Sequence, residues 1–338
     1  MSGKRIGRQT VRLEKPVSVL AGAAVGGDKE GDGPLGRCFD YISEDSYFGE
    51  ASWEKAESRM LKQCFSLACD KANIAPSSLD AIFGGDLLNQ CTASCFAMRD
   101  SGAPFFGLYG ACSTMAEAAA LAAMFIDGGF GSTAAAQSCS HFCSAERQFR
   151  FPLEYGGQRT PTAQWTVTAA GALILGRDGG APYITHVTAG KIVDAGICDA
   201  ANMGAAMAPA AFDTLTAHFE DTGRSPQDYD IIVTGDLGYV GSKALAGLFE
   251  HEGIELENHL DCGLMIFDRE RQDVHAGGSG CGCCASVLAS LLLSGMREGR
   301  WNRMLFAATG ALMSPTTSQQ GESIPGICHA VAFDTGVQ

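Results

Sequence analysis

The sequence predicts an α/β fold of two similar βαβαβ halves packed as a layered pseudo-dimer. Three observations carry this. An internal repeat spans the chain, its strands are near-continuous apolar runs, and its helices are rich in alanine. The repeat is clearest where "DAIFGGDL" begins at Asp80 and "DIIVTGDL" at Asp230, 150 residues apart, with Asp, Ile, Gly, Asp and Leu at the same spacing. Strands without polar alternation are covered on both faces, and small helical residues let such layers approach closely.

The elements follow in order. The start, "MSGKRIGRQTVRLEKPVSVLAGAAVGG", has a basic lead and an apolar stretch that imitates a signal peptide. It reads instead as a disordered lead and a first strand over 17–24, ended by Gly26 and Gly27. A helix over 58–73 and the polar turn "APSSLD" lead into the first repeat strand, and a helix over 210–221 and "SPQDYD" lead into the second. "PFFGLYG" then reads as a strand meeting the helix "STMAEAAALAAMFIDGG", and "GCCASVLASLLLSGMREGRW" has the same pattern in the second half. Pairing Cys112 with Cys283 gives a longer offset, so the second half carries an insertion of roughly twenty residues. "STAAAQSCS" (132–140) and "NRMLFAATG" (302–310) are the strands that follow, and the halves cover 17–177 and 182–334. "STAAAQSC" also reads as an edge strand that a second copy would cover, which implies a homodimer.

Composition excludes several classes of function. The chain has 338 residues, 46% hydrophobic and 18% charged, with a net charge of -14. That charge repels phosphate backbones, so nucleic acid is not an expected partner. The longest apolar run, around 285–293, falls far short of the ~20 residues of a membrane helix. With no segment read as a signal or a span, the protein is expected to be soluble and its 14 cysteines to be reduced, mostly as small buried hydrophobes. "CGCC" at 281–284 has no second cysteine or histidine pair at zinc spacing, so no metal site is expected. The "GGSGCG" glycines lack the strand, helix and distal acid of a dinucleotide loop, so no cofactor is expected either.

Chemistry concentrates at Cys112. In "GACSTM" the thiol stands at a tight strand-to-helix elbow, where small neighbours avoid a clash. A helix N-terminus there is expected to favour the thiolate and to attract an anionic ligand. Ligand loops of α/β sheets gather at the carboxyl ends of strands, so the loops after Gly85, Gly110, Gly235 and Gly280 should converge. Asp86 and Asp236 end equivalent strands there, as candidate ligand residues or as caps of neighbouring turns.

"GACSTM", the duplicated halves, "TAQWTVTAAGALILG" and the C-terminal "MLFAATGALMSP" together resemble the thiolase and β-ketoacyl synthase superfamily over nearly the whole chain. The resemblance implies a five-layered thiolase-like fold with Cys112 at the position of the nucleophile. The second-half loops that hold the family's His and Asn groups correspond to Thr234, Gly235 and Asp236, and to Ser279, Gly280 and Cys281. Neither holds an imidazole. Losing such a base or oxyanion donor typically costs ~10² to 10⁴-fold in rate, so ordinary Claisen condensation is not expected. The alternative is an active acyltransferase using Cys112 with His275 or His141 as its base.

Within that superfamily, "AERQFRFPLEYGGQ", "GACSTM" and "GDGPLG" (31–36) resemble the stage V sporulation protein AD family of endospore formers. The resemblance implies a non-catalytic protein that binds dipicolinic acid, or its calcium chelate. It would serve uptake or release of that compound as a homodimer, peripheral at the spore inner membrane beside membrane proteins of the same complex. Physically, Arg147, Arg150 and Arg159 could meet the two carboxylates, and Phe149, Phe151, Tyr155 and Trp165 could wall the ring. The alternating "RQFRF" could equally be a strand with its arginines in solvent. The candidate ligand-binding residues are Cys112, Asp86, His141, Arg147, Arg150, Tyr155, Asp236, Ser279 and Gly280.

Overall fold

The computed structural model describes residues 4–150 and 158–336. The first half runs β1 (Thr10–Gly27), α1 (Trp53–Ala72), β2 (Ala81–Gly85), α2 (Thr92–Met98), β3 (Phe105–Gly107), α3 (Thr114–Asp127), β4 (Thr133–Ser140), α4 (Phe142–Phe149) and β5 (Ala169–Gly176). The second runs β6 (Tyr183–Thr188), α5 (Met203–Thr222), β7 (Ile231–Thr234), α6 (Gly238–His251), β8 (His259–Asp261), α7 (Cys281–Val287), β9 (Arg303–Ala311) and β10 (Gly326–Asp334). Past Val287 the helix continues through a π-helical turn, Leu288–Leu292, into Leu293–Arg297.

The strand orders β3-β2-β4-β5-β1 and β8-β7-β9-β10-β6 match position for position, which is the duplication seen in the repeat. Each half extends the expected βαβαβ with a three-residue edge strand and an antiparallel return strand. The halves are joined through β1, which pairs with β5 from Ser18 to Gly26 and with β6 from Thr10 to Ser18. β1 thus begins at Thr10, well before the expected Val17. The lead from Lys4 is also ordered: Lys4 Nζ lies 2.8 Å from Asp127, and Arg5 bridges to Val11.

Alternation along the strands distributes side chains to three buried layers. Ala134 and Ala136 face the middle layer while Ala135 faces outward onto Met60, Leu61, Cys64 and Phe65 of α1. Likewise Met304, Phe306 and Ala308 face inward, and Leu305 and Ala307 face α5 and α6. The middle layer is α3 and α7, whose alanines and cysteines are small enough to pack against both sheets. α1 and α5 stop where Asn73 (φ 54°) and Gly223 (φ 66°) turn left-handed, the usual helix-closing conformation.

One expectation fails here. β4 lies between β2 and β5 and is buried from Ala134 to Ser140, so "STAAAQSC" is not an edge. The exposed edge of the first half is β3, where Phe106 is 49% exposed. β4 is interior because β5 returns antiparallel beside it, a pairing that apolar composition does not specify.

Candidate functional site

The elbow at Cys112 forms as expected, and local hydrogen bonds fix it. Ala111 has φ 50°, a strained value that a small side chain tolerates. The Ser113 hydroxyl donates to the Gly110 carbonyl (2.6 Å) and the Thr114 hydroxyl to the Ala111 carbonyl (2.7 Å). β9 passes close enough that a Cβ on Gly310 would collide with the Gly110 carbonyl.

Beneath the thiol lies a polar cluster from the second half. Cys112 Sγ is 3.8 Å from Ser279 Oγ, which donates to Asp236 Oδ2 at 2.6 Å. The Gly280 amide donates to the same oxygen (3.0 Å), and the Thr309 hydroxyl donates to Oδ1 (2.9 Å). Gly280 has φ 108°, and a Cβ there would lie 2.6 Å from Ser140 Oγ, so only glycine delivers this amide. Burial pushes the Asp236 carboxyl above its ordinary value, opposed by hydrogen bonds from Ser279, Gly280 and Thr309. Burial, then the charge and hydrogen bonding of Asp236, push the Cys112 thiol well above its ordinary value. The expected thiolate is therefore overturned: the helix terminus is outweighed by desolvation and a neighbouring carboxylate.

A cavity of about 240 Å³ opens over Cys112, bounded by Leu87, Tyr109, Phe149, Arg150, Arg159, Gln164, Thr166, Met203, Ser279 and Gly280, among others. Arg159 is well buried, lying over the rings of Phe142 (5.1 Å) and Trp165 (4.8 Å), and these two rings stack at 3.9 Å. "AERQF" is helical in α4, not a strand, which turns Phe149 and Glu146 into the cavity and Arg147 away from it.

Of the expected residues, Cys112, Asp236, Ser279, Gly280 and Arg150 come together. Asp86, His141 and Arg147 do not. Asp86 is fully buried, accepting the amides of Leu88 (2.9 Å) and Ser94 (2.8 Å); it caps local turns, the alternative already weighed for it. His141 accepts the Cys143 amide at Nδ1 (3.2 Å), capping α4, and its Nε2 lies 2.8 Å from the Ser46 carbonyl. Burial lowers its pKa, so it is a neutral structural group. Arg147 pairs with Glu54 and lies over Trp53 at 5.1 Å, outside the cavity. Tyr155 and Phe151 lie outside the described residues. His275 sits 3.4 Å from Asp273 and does not line the cavity either, so neither histidine is placed as a base for Cys112. Sequence reading missed Glu146 and Gln164, although both fall in quoted motifs; helical phase and loop path, not residue type, bring them inward.

The "CGCC" thiols diverge. Cys281 donates to the Ala111 carbonyl (2.9 Å), Cys283 to Gly235 (3.7 Å) and Cys284 to Cys112 (3.5 Å). Burial pushes all three well up, so they are protonated thiols pinning the elbow and its facing loop. Among the described residues, no group of three or more His, Cys, Asp or Glu could hold a metal ion, and no helix is long and apolar enough to cross a membrane.

This is the thiolase-like architecture, with a cysteine elbow facing a carboxylate instead of an imidazole. Similar solved structures include 3-oxoacyl-[acyl-carrier-protein] synthase III from Aquifex aeolicus (14% identity, TM-score 0.56, 94% of this chain and 99% of that one). A variant of OleA from Xanthomonas campestris (14%, 0.61, 96% and 99%) and human mitochondrial 3-ketoacyl-CoA thiolase in complex with CoA (10%, 0.60, 96% and 99%) share the fold. The family model for stage V sporulation protein AD matches residues 7–334. Stage V sporulation protein AD of Bacillus subtilis (strain 168) is 44% identical over 332 residues, 98% of each chain. The chain therefore belongs to the stage V sporulation protein AD family, and is a sporulation protein with a thiolase-like fold.

Proposed function

We propose that the cavity over Cys112 binds dipicolinic acid, free or as its calcium chelate, and that the site does not catalyse acyl transfer. The observation that carries this is the pairing of Arg150 and Arg159 on the cavity wall with a buried thiol that has a carboxylate for its neighbour. A volume of about 240 Å³ suits a single-ring ligand, below the usual ~300 to 1,000 Å³ of drug-sized sites. Guanidinium donors favour carboxylates, and Leu87, Phe149 and Met203 offer an apolar wall to a ring. Claisen chemistry would need an oxyanion donor beside the thiol, and the Asp236 carboxylate instead repels an oxyanion.

The test is an isothermal titration with dipicolinate, with and without calcium. Saturable one-to-one binding is expected, stronger with calcium if the chelate is the ligand. No heat in either condition refutes the reading.

In this reading the protein works as a homodimer, peripheral at the spore inner membrane through membrane-protein partners of the same complex. The edge β3 supports dimerisation: among the described residues no strand pairs with its outer side, and Phe106 on it and Tyr109 just beyond it are 49% and 44% exposed. Phe106→Glu should then convert a dimer to a monomer in light scattering; a wild-type monomer refutes it.

A further inference from the structure

Glu146 stands on α4 in the cavity wall, its side chain only 13% exposed, and each of its oxygens holds a different guanidinium. Oε1 accepts from Arg159 Nη2 at 2.6 Å, and Oε2 accepts from Arg150 Nη1 at 3.1 Å. Arg159 also donates Nη1 to the Gln164 carbonyl at 2.8 Å. Among the described residues that line the cavity, these three are the charged side chains, and together they carry one net positive charge instead of two.

A guanidinium has five N–H groups. Arg159 commits two of them here, which leaves three donors for a ligand carboxylate that does not displace Glu146. The negative charge then stays beside the bound ligand.

We propose that Glu146 sets the ligand charge this cavity accepts, disfavouring a free dianion relative to a monoanion or a metal-neutralised dicarboxylate. This rests on reading the cavity as a carboxylate site. A fixed unit charge a few ångströms away, at the dielectric of a partly buried site, changes affinity by at least about tenfold per unit of ligand charge.

The experiment measures affinity for pyridine-2,6-dicarboxylate, a dianion, and pyridine-2-carboxylate, a monoanion, at low salt. The proteins are wild type, Glu146→Gln and Glu146→Ala, with thermal unfolding to confirm that each variant is folded. Both variants are expected to gain at least about tenfold more affinity for the dianion than for the monoanion. An equal gain for both, no change, or loss of both in a folded variant overturns the inference while leaving the cavity reading intact. The wild type alone also tests it, since a preference for the dianion above about a hundredfold shows a cavity that charge does not limit. If the wild type binds neither compound, the cavity reading fails and this inference with it.

Discussion

Asp236 and Ser279 meet at 2.6 Å, carboxylate to hydroxyl, and through that contact the buried Cys112 faces a carboxylate instead of an imidazole. Ser279, Gly280 and Thr309 all donate to Asp236. Asp236→Ala should therefore destabilise the protein by about 3 kcal/mol, because buried donors lose a charged partner. Asp236→Asn, which keeps one acceptor, should cost less. Urea unfolding of both variants checks this, and an alanine variant as stable as wild type would show that the cluster is dispensable.

Cys112 should be a slow nucleophile. In iodoacetamide labelling at neutral pH followed by peptide mass spectrometry, the exposed Cys38, Cys95 and Cys198 should react first. Cys112 should trail them by about tenfold or more, since the reactive species is the thiolate. Preferential labelling of Cys112 would restore the acyltransferase reading.

The arginines should separate by position. Arg159→Ala removes a well-buried donor of the cavity and should weaken dipicolinate binding by about tenfold or more. Arg147→Ala breaks only the contacts with Glu54 and Trp53 outside the cavity and should leave affinity unchanged. The reverse ranking would move the site to the other face of α4.

Stability should also depend on Glu30, whose Oε1 accepts the Thr168 amide at 2.9 Å and whose pKa burial pushes up to about 7 from 4.5. Between these values the folded state holds more protons than the unfolded one. Its contribution is therefore fully present below about 4.5 and is lost as pH rises through about 7. Relative to Glu30→Gln, the wild type should lose about 3 kcal/mol between pH 4.5 and 8, measured by urea unfolding at several pH values. Parallel pH profiles would show that Glu30 titrates normally.

The repeat shows what was legible in advance and what was not. Asp80 and Asp230 open its two copies and do the same work, receiving the amides of Ser132 and Thr133 and of Asn302 and Arg303. Asp86 and Asp236 close the copies and do different work. Asp86 accepts the Leu88 amide, whereas the corresponding amide of Gly238 is taken by Asp261, arriving from β8 (3.0 Å), and Asp236 is left free for Ser279. Nothing in "FGGDL" and "VTGDL" distinguishes them, because the difference is made by a residue 25 positions downstream.

By itself the sequence determined the duplicated α/β fold, the cysteine elbow, the absence of an imidazole in the facing loops, and the family. These are written in local pattern: apolar runs, small residues at close approaches, and spacing between motifs. Tertiary structure alone decided that β4 is interior and β3 the edge, that Arg147 leaves the cavity while Glu146 enters it, and that Cys112 is a neutral thiol. Each of these depends on strand order, helical phase or burial among distant segments, and a pKa follows the dielectric and charges that the finished fold places around a group.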